Sequence, residues 1–274
     1  MSLESFPSQE HVMDLQLTGK RVLVTGASRG IGLAIVQAFQ QEGALVTATA
    51  RRSTPELEAT GAAFVPVDLA TADGPQQLVD AALAVDPRID VLVNNAGGGE
   101  MPQEGFGDPL NGGDEVWAYG FALNFESAVR TTRAALPSLL EARGAVVNIS
   151  SDSARRPGTE PLPYSVAKAA LNAFTRQLAE RMAPSGVRVN AVSPSVTRTP
   201  QITGADGYVA RVADNVGVDH ETLMAALPKE TGMLTETLID PAEIARAVLL
   251  LASPTMPNAI GVNLSVDAGS TKIV

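Results

Sequence analysis

Seven short apolar runs recur along the chain: RVLVT (21–25), ALVTATA (44–50), AFVPV (63–67), DVLVNN (90–95), AVVNIS (145–150), VRVNAVS (187–193) and VNLSV (262–266). Each is almost continuously hydrophobic and rich in β-branched residues, which predicts strands buried on both faces. The segments between them carry helical spacing instead. IGLAIVQAFQQEG (31–43) sets apolar residues three and four apart and closes on Gly43, a helix stop, and a further helical stretch is predicted over 68–84. Alternation of this kind implies right-handed crossovers, and so an α/β fold with one doubly wound parallel sheet of about seven strands flanked by helices on both faces.

Two intervals break the rhythm. Residues 98–113, GGEMPQEGFGDPLNGG, form a glycine- and proline-rich loop, and residues 198–240 hold no strand candidate and only a weak helical pattern near 219–227. Long irregular intervals in compact domains usually cover a ligand, so 198–240 is read as the substrate loop. With no repeat or linker, the expectation is an N-terminal extension over 1–17 and a single domain over 18–274.

Composition narrows the function. The 274 residues are 45% hydrophobic, 18% charged and 4% aromatic, with a formal net charge of −10. That balance argues against nucleic acid or an anionic membrane as partner. There is no cysteine, and His11 and His220 are the only histidines, so no metal site is expected. MSLESFPSQEHVMDLQLTGK has no apolar core of signal-peptide type, and no later run would span a bilayer; a cytoplasmic protein is the default expectation.

The stretch TGASRGIG (25–32) admits two chemistries. Gly26-Ala27-Ser28-Arg29-Gly30 fits G-x-S-x-G, a hydrolase nucleophile elbow, but that needs an acid and then a histidine downstream. Only His220 follows, and it falls in the irregular interval. The other reading is a phosphate loop between a strand and a helix. Gly26 permits the tight turn, Gly30 and Gly32 remove side chains where cofactor and neighbouring strand approach, and the helix opening at Ile31 offers free N–H groups and a positive dipole end. The spacing G-x-x-x-G-x-G differs from G-x-G-x-x-G, so the loop alone is weak support.

TGASRGIG, then NNAG (94–97), then YSVAK (164–168), in that order, resemble the short-chain dehydrogenase/reductase family over about residues 18 to 269. The resemblance implies a Rossmann-type fold and an oxidoreductase that interconverts a small-molecule carbonyl and a secondary alcohol by hydride transfer. Members similar to 3-oxoacyl-carrier-protein reductases keep a second substrate open. A non-catalytic dinucleotide sensor is the reading from another class.

Tyr164 and Lys168 stand four apart in a helix-compatible stretch and so share a face. A phenol titrates near ~10, and an adjacent ammonium favours the phenolate, which suits a general acid/base. The plain alternative is a surface tyrosine with an incidental lysine, although only Lys20, Lys168, Lys229 and Lys272 occur. The resemblance adds Ser151, thirteen residues before Tyr164, as the group that holds the substrate oxygen. It also implies that Asn124, seven residues after Trp117, helps hold a water linking Lys168 to solvent.

For the cofactor, the resemblance puts Asn95, Ala96 and Gly97 against the adenosine ribose. Asp68, with the Leu69 backbone, is placed to accept from the adenine amino group, or alternatively to cap the 68–84 helix. Ser28 joins the phosphate loop. An acid ending the second strand would bind the 2′-hydroxyl of NAD. Here that position is Ala50, followed by Arg51 and Arg52, which with Arg29 suit a 2′-phosphate, so NADP is favoured over NAD. Pro194, Val196 and Thr199 fall in a segment that aligns with the family's P-G-x-x-x-T at the nicotinamide carboxamide. Two departures stand out: Ser195 replaces the usual glycine, and VDAGS (266–270) replaces V-D-G-G.

The substrate is expected over Tyr164, with Tyr208, Met224 and Leu227 as possible lining and 98–113 and 153–163 as walls. The charge of −10 disfavours an acidic carrier protein against a free small molecule. The resemblance also implies a homotetramer or homodimer packed through 114–141 and 163–183.

Overall fold

The computed structural model describes residues 13–99, 105, 108–156 and 161–272. Most of the expected N-terminal extension, part of the 98–113 loop and residues 157–160 of the 153–163 wall lie outside them. The strands are β1 (Arg21–Thr25), β2 (Leu45–Ala50), β3 (Ala63–Pro66), β4 (Val91–Asn94), β5 (Ala145–Ile149), β6 (Arg188–Pro194) and β7 (Asn263–Val266). They form one seven-stranded sheet in the order β3-β2-β1-β4-β5-β6-β7, and every pairing is parallel. Each strand lies within a residue of an apolar run.

Strand periodicity explains why those runs are apolar throughout. Val22 and Val24 of β1 join one core cluster, which includes helices α1 (Gly30–Gln41) and α10 (Pro241–Ala252). Leu23 between them joins a second cluster on the opposite face, with α3 (Gly74–Val85), α5 (Ser127–Ala142) and α6 (Leu162–Met182). Successive residues point to opposite sides, so a sheet covered on both faces has no position for a polar residue in mid-strand.

The exceptions are paired. Asn94 Nδ2 donates to Asn148 Oδ1 at 2.9 Å, and Asn148 Nδ2 donates to Thr175 Oγ1 at 2.8 Å, so a chain of buried hydrogen bonds links β4, β5 and α6. Arg188 is also buried, and desolvation lowers its pKa. Its Nη1 and Nη2 donate to Leu251 O (2.7 Å) and Ala252 O (2.8 Å), closing the open C-terminal carbonyls of α10.

Two element expectations need correction. The helix expected at 68 begins at Gly74, because Asp68 Oδ1 accepts from Ala70 N (2.9 Å) and closes a turn first. Asp68 therefore does not cap that helix. The interval 198–240 contains three short helices, α7 (Pro200–Thr203), α8 (Tyr208–Val216) and α9 (His220–Glu230). α9 starts at the Asp219 cap, whose side chain accepts from Thr222 N. Helices α2 (Pro55–Glu58) and α4 (Asp114–Phe121) complete the set, and a π turn over Ala122–Glu126 joins α4 to α5.

The two sequence departures differ in consequence. The non-glycine residues with positive φ are, among those described, Gln16, Asn111, Arg143, Glu236 and Ala268, so Ser195 sits in ordinary backbone. Ala268 does not: its φ is 52°, in the region that favours glycine. Ala268→Gly is expected to stabilise the fold by about 0.5–1 kcal/mol, after the extra freedom of glycine in the unfolded chain is counted. A urea midpoint that rises with an unchanged slope would show it; a fall would refute it.

Candidate active site

The carboxyl ends of β1, β4, β5 and β6 open into a cleft of about 950 Å³, at the point where the strand order reverses between β1 and β4. Such a crevice is where open α/β sheets bind ligands. Every residue expected to contact a cofactor lines it, as do Ser151, Tyr164 and Lys168. Among the described residues, no group of three His, Asp or Glu side chains is placed to hold a metal ion.

The glycine loop is fitted first to the protein itself. Gly26 and Gly30 have φ of 63° and 56°. A methyl group on Gly26 would lie 2.8 Å from Ala96 Cα, one on Gly30 2.9 Å from Thr199 Cγ2, and one on Gly32 2.2 Å from Gly26 O. Gly32 is thus demanded by the loop folding back on its own helix. Thr25 Oγ1 binds the next turn to this loop, accepting from Asn95 N and Ala96 N at 2.9 Å each. Asn95 Nδ2 donates to Thr25 O and Gly26 O at 2.9 and 3.0 Å. The Asn95 side chain therefore works inside the protein, and what it presents to the cleft is a held backbone turn. Arg29 occupies the cap position of α1 with no side-chain bond to the helix, leaving the first-turn N–H groups open toward the cleft.

Lys168 and Tyr164 lie one turn apart on α6 beside the end of β5. Lys168 is 3% exposed, and its Nζ donates to Ile149 O at 2.8 Å and stands 5.7 Å from the centre of the Tyr164 ring. Burial pulls its pKa down to about 8. Ser151 follows β5 and is buried, and its Oγ accepts from Ser153 N at 3.2 Å and from Ser153 Oγ at 2.9 Å. Asn124 alone of the expected catalytic and cofactor residues is set back from the cleft wall. It sits buried in the π turn, where Oδ1 accepts from Gly98 N (2.9 Å) and Nδ2 donates to Gly98 O (3.1 Å) and Gly120 O (3.0 Å). A methyl group on Gly97 would lie 2.7 Å from Asn124 Oδ1 and 3.1 Å from Lys168 Nζ, so the asparagine, the turn and the lysine are in close contact.

At the far end, Arg29, Arg51 and Arg52 are exposed and share the cleft with Asp68. Thr54, overlooked in the sequence, ties this end together: its Oγ1 donates to Ser28 O at 2.7 Å and accepts from Leu57 N at 3.3 Å to cap α2. The Thr-Pro-Glu order at 54–56 was the available signal. Pro194, Val196 and Thr199 line the near end with Ser195, whose buried Oγ has no hydrogen-bond partner among the described residues. Of the expected substrate-facing residues, Tyr208 reaches the cleft; Met224 and Leu227 on α9 do not, and Gln201 and Ile202 of α7 are there instead.

Fold and cleft together define an α/β protein of the Rossmann type. A family model described as enoyl-(acyl carrier protein) reductase matches residues 26–271. The putative ketoacyl reductase 2 of the granaticin polyketide synthase of Streptomyces violaceoruber is 35% identical, over 90% of this chain and 94% of that one. L-fucose dehydrogenase of Bos taurus is 33% identical over 88% of this chain and 86% of its own length. The crystal structure of L-sorbose reductase from Gluconobacter frateurii, complexed with NADPH and L-sorbose, superimposes with a TM-score of 0.85 at 28% identity, covering 96% and 100% of the two chains. The chain belongs to the short-chain dehydrogenase/reductase family and is an oxidoreductase acting between alcohols and carbonyls. Among its described residues no helix is long and apolar enough to cross a membrane.

Proposed function

We propose that the protein is an NADP(H)-dependent reductase of a small-molecule ketone, or the corresponding alcohol dehydrogenase in reverse. The observation that carries this is one cleft lined both by Ser151, Tyr164 and Lys168 and by Arg29, Arg51 and Arg52. The residues fit the cofactor. The open N–H groups at the start of α1 suit a pyrophosphate, the arginines suit a 2′-phosphate, and β2 ends on Ala50, with no acid to repel it. The NADPH held by the sorbose reductase supports the same choice. NADPH, when bound, supplies a hydride to the carbonyl carbon.

The chain's own residues do the rest. Ser151 donates a hydrogen bond to the carbonyl oxygen and holds it beside the Tyr164 hydroxyl. Tyr164 gives its proton to that oxygen, and the positive Lys168 favours the phenolate left behind. Asn124 acts through structure, holding the Gly97–Gly98 turn against Lys168.

A carrier-bound β-keto thioester is the second reading, favoured by the granaticin relative. The net charge of −10 weighs against docking an acidic carrier. The test is oxidation of NADPH and NADH, run in parallel, over a panel of hydroxyketones, simple ketones and β-keto thioesters. Turnover with NADPH is expected; indifference to every carbonyl would remove the proposal. Arg51→Ala is expected to raise the KM for NADPH by about ten- to a hundredfold and leave that for NADH unchanged. Equal effects on both cofactors would remove Arg51 from 2′-phosphate recognition.

A further inference from the structure

Ser153 is 1% exposed, yet it carries a hydroxyl. Burying a hydroxyl is costly unless it is bonded, and alanine would fill nearly the same space. Among the described residues the Ser153 hydroxyl has one partner, Ser151 Oγ, to which it donates at 2.9 Å. The backbone N–H of Ser153 donates to the same oxygen at 3.2 Å. Both acceptor positions of Ser151 Oγ are thereby taken, and the hydroxyl of Ser151 is left to act as a donor. Its own proton points to Asp152 Oδ1 at 3.4 Å, well beyond the usual 2.7–2.8 Å of a strong O–H···O bond. That weak bond is readily exchanged for an incoming oxygen. Asp152 itself is held by Arg156 Nη1 (3.2 Å) and Ser270 Oγ (3.0 Å), both on Oδ2, the oxygen that Ser151 does not use.

We infer that Ser153 is a positioning residue for the reaction: it fixes the lone pairs of Ser151 and polarises its hydroxyl, so that Ser151 donates toward the substrate oxygen. Hydrogen bonds in a chain strengthen one another where water is excluded. The inference rests on the proposed carbonyl reduction, because it assigns Ser153 a part only through Ser151.

The experiment is a double-mutant cycle on the full-length protein with the best carbonyl found in the panel. Ser153→Ala is expected to lower kcat about tenfold, to leave the KM for NADPH unchanged and to shift Tm by no more than a few degrees. Ser151→Ala is expected to cost about a hundredfold, and the double variant no more than Ser151→Ala alone. A merely structural serine would lower activity by the same factor in both backgrounds. Losses that multiply, or a kcat of Ser153→Ala equal to the parent's, would overturn the inference. If Ser153→Ala loses more than a few degrees of Tm, Ser153→Cys, which leaves no void and is a weak donor, takes its place in the cycle under the same criteria. Turnover that needs Tyr164 but ignores Ser153 overturns this inference and leaves the proposed function standing; no turnover at all overturns both.

Discussion

Tyr164→Phe is expected to bind NADPH as tightly as the parent and to turn over about a thousandfold more slowly. The substitution removes one oxygen from a half-buried ring and leaves in place the face that lies 5.7 Å from Lys168 Nζ. Binding should be preserved, because the residues proposed to hold the phosphates and ribose lie on other elements. What disappears is the phenol beside the buried lysine, and positioned proton transfer contributes on the order of 10²–10⁴ to such reactions. A fluorescence titration with NADPH together with single-turnover kinetics separates the two effects. Turnover within tenfold of the parent would mean that the proton comes from elsewhere.

Lys168→Met is expected to make a more stable protein and a poor enzyme. Burial holds the folded lysine at about 8, below the ordinary 10.5, so between those values the unfolded chain keeps a proton that the folded chain has released. Stability therefore rises with pH across that window, and below pH 8 the full cost of burying the ammonium is present. At 1.36 kcal/mol per unit that cost is about 3 kcal/mol, offset in part by the bond to Ile149 O, which contributes about 1 kcal/mol. Methionine removes the charge and fills the space. The variant should gain about 1–2 kcal/mol at pH 7, lose that advantage as pH climbs past 8 toward 10.5, and show kcat reduced about a hundredfold. Denaturation midpoints at pH 6.5 and 9.5 decide the matter. A gain that is the same at both values would mean that titration of Lys168 is not its source.

Legibility in the sequence divides along physical lines. The strands are readable almost to the residue because both faces of the central sheet are covered, so β1, β4, β5 and β6 are buried along nearly their whole length. The loop glycines were readable as a motif, but their reasons were not: only coordinates show that Gly32 is required by Gly26 O, at 2.2 Å from a would-be methyl. Helices α7 and α9 are largely invisible in the sequence, since short helices that bury little leave no clear apolar stripe, while α8 buries Val209, Ala210 and Ala213 on one side but spans only nine residues. The same uncertainty misplaced Met224 and Leu227. Asn124 is implied by the family resemblance, but the π turn that buries it leaves no periodic signal. Ser153 was missed for a plainer reason: one serine among several at a strand end carries no pattern, and its significance lies entirely in which oxygen it meets.

The glycine loop, locked to Ala96, Thr199 and its own helix, has a consequence for how a ligand arrives. A phosphate-binding loop that had to be organised by its ligand would spend part of the binding free energy on ordering backbone, at about 1–2 kcal/mol per residue fixed. Here that ordering is completed when the sheet forms, through Thr25, Asn95 and Thr54. The entropy of shaping the pocket is charged to folding and not to association, so in the proposed NADP complex the attraction of the rim arginines is left for telling two nearly identical nucleotides apart.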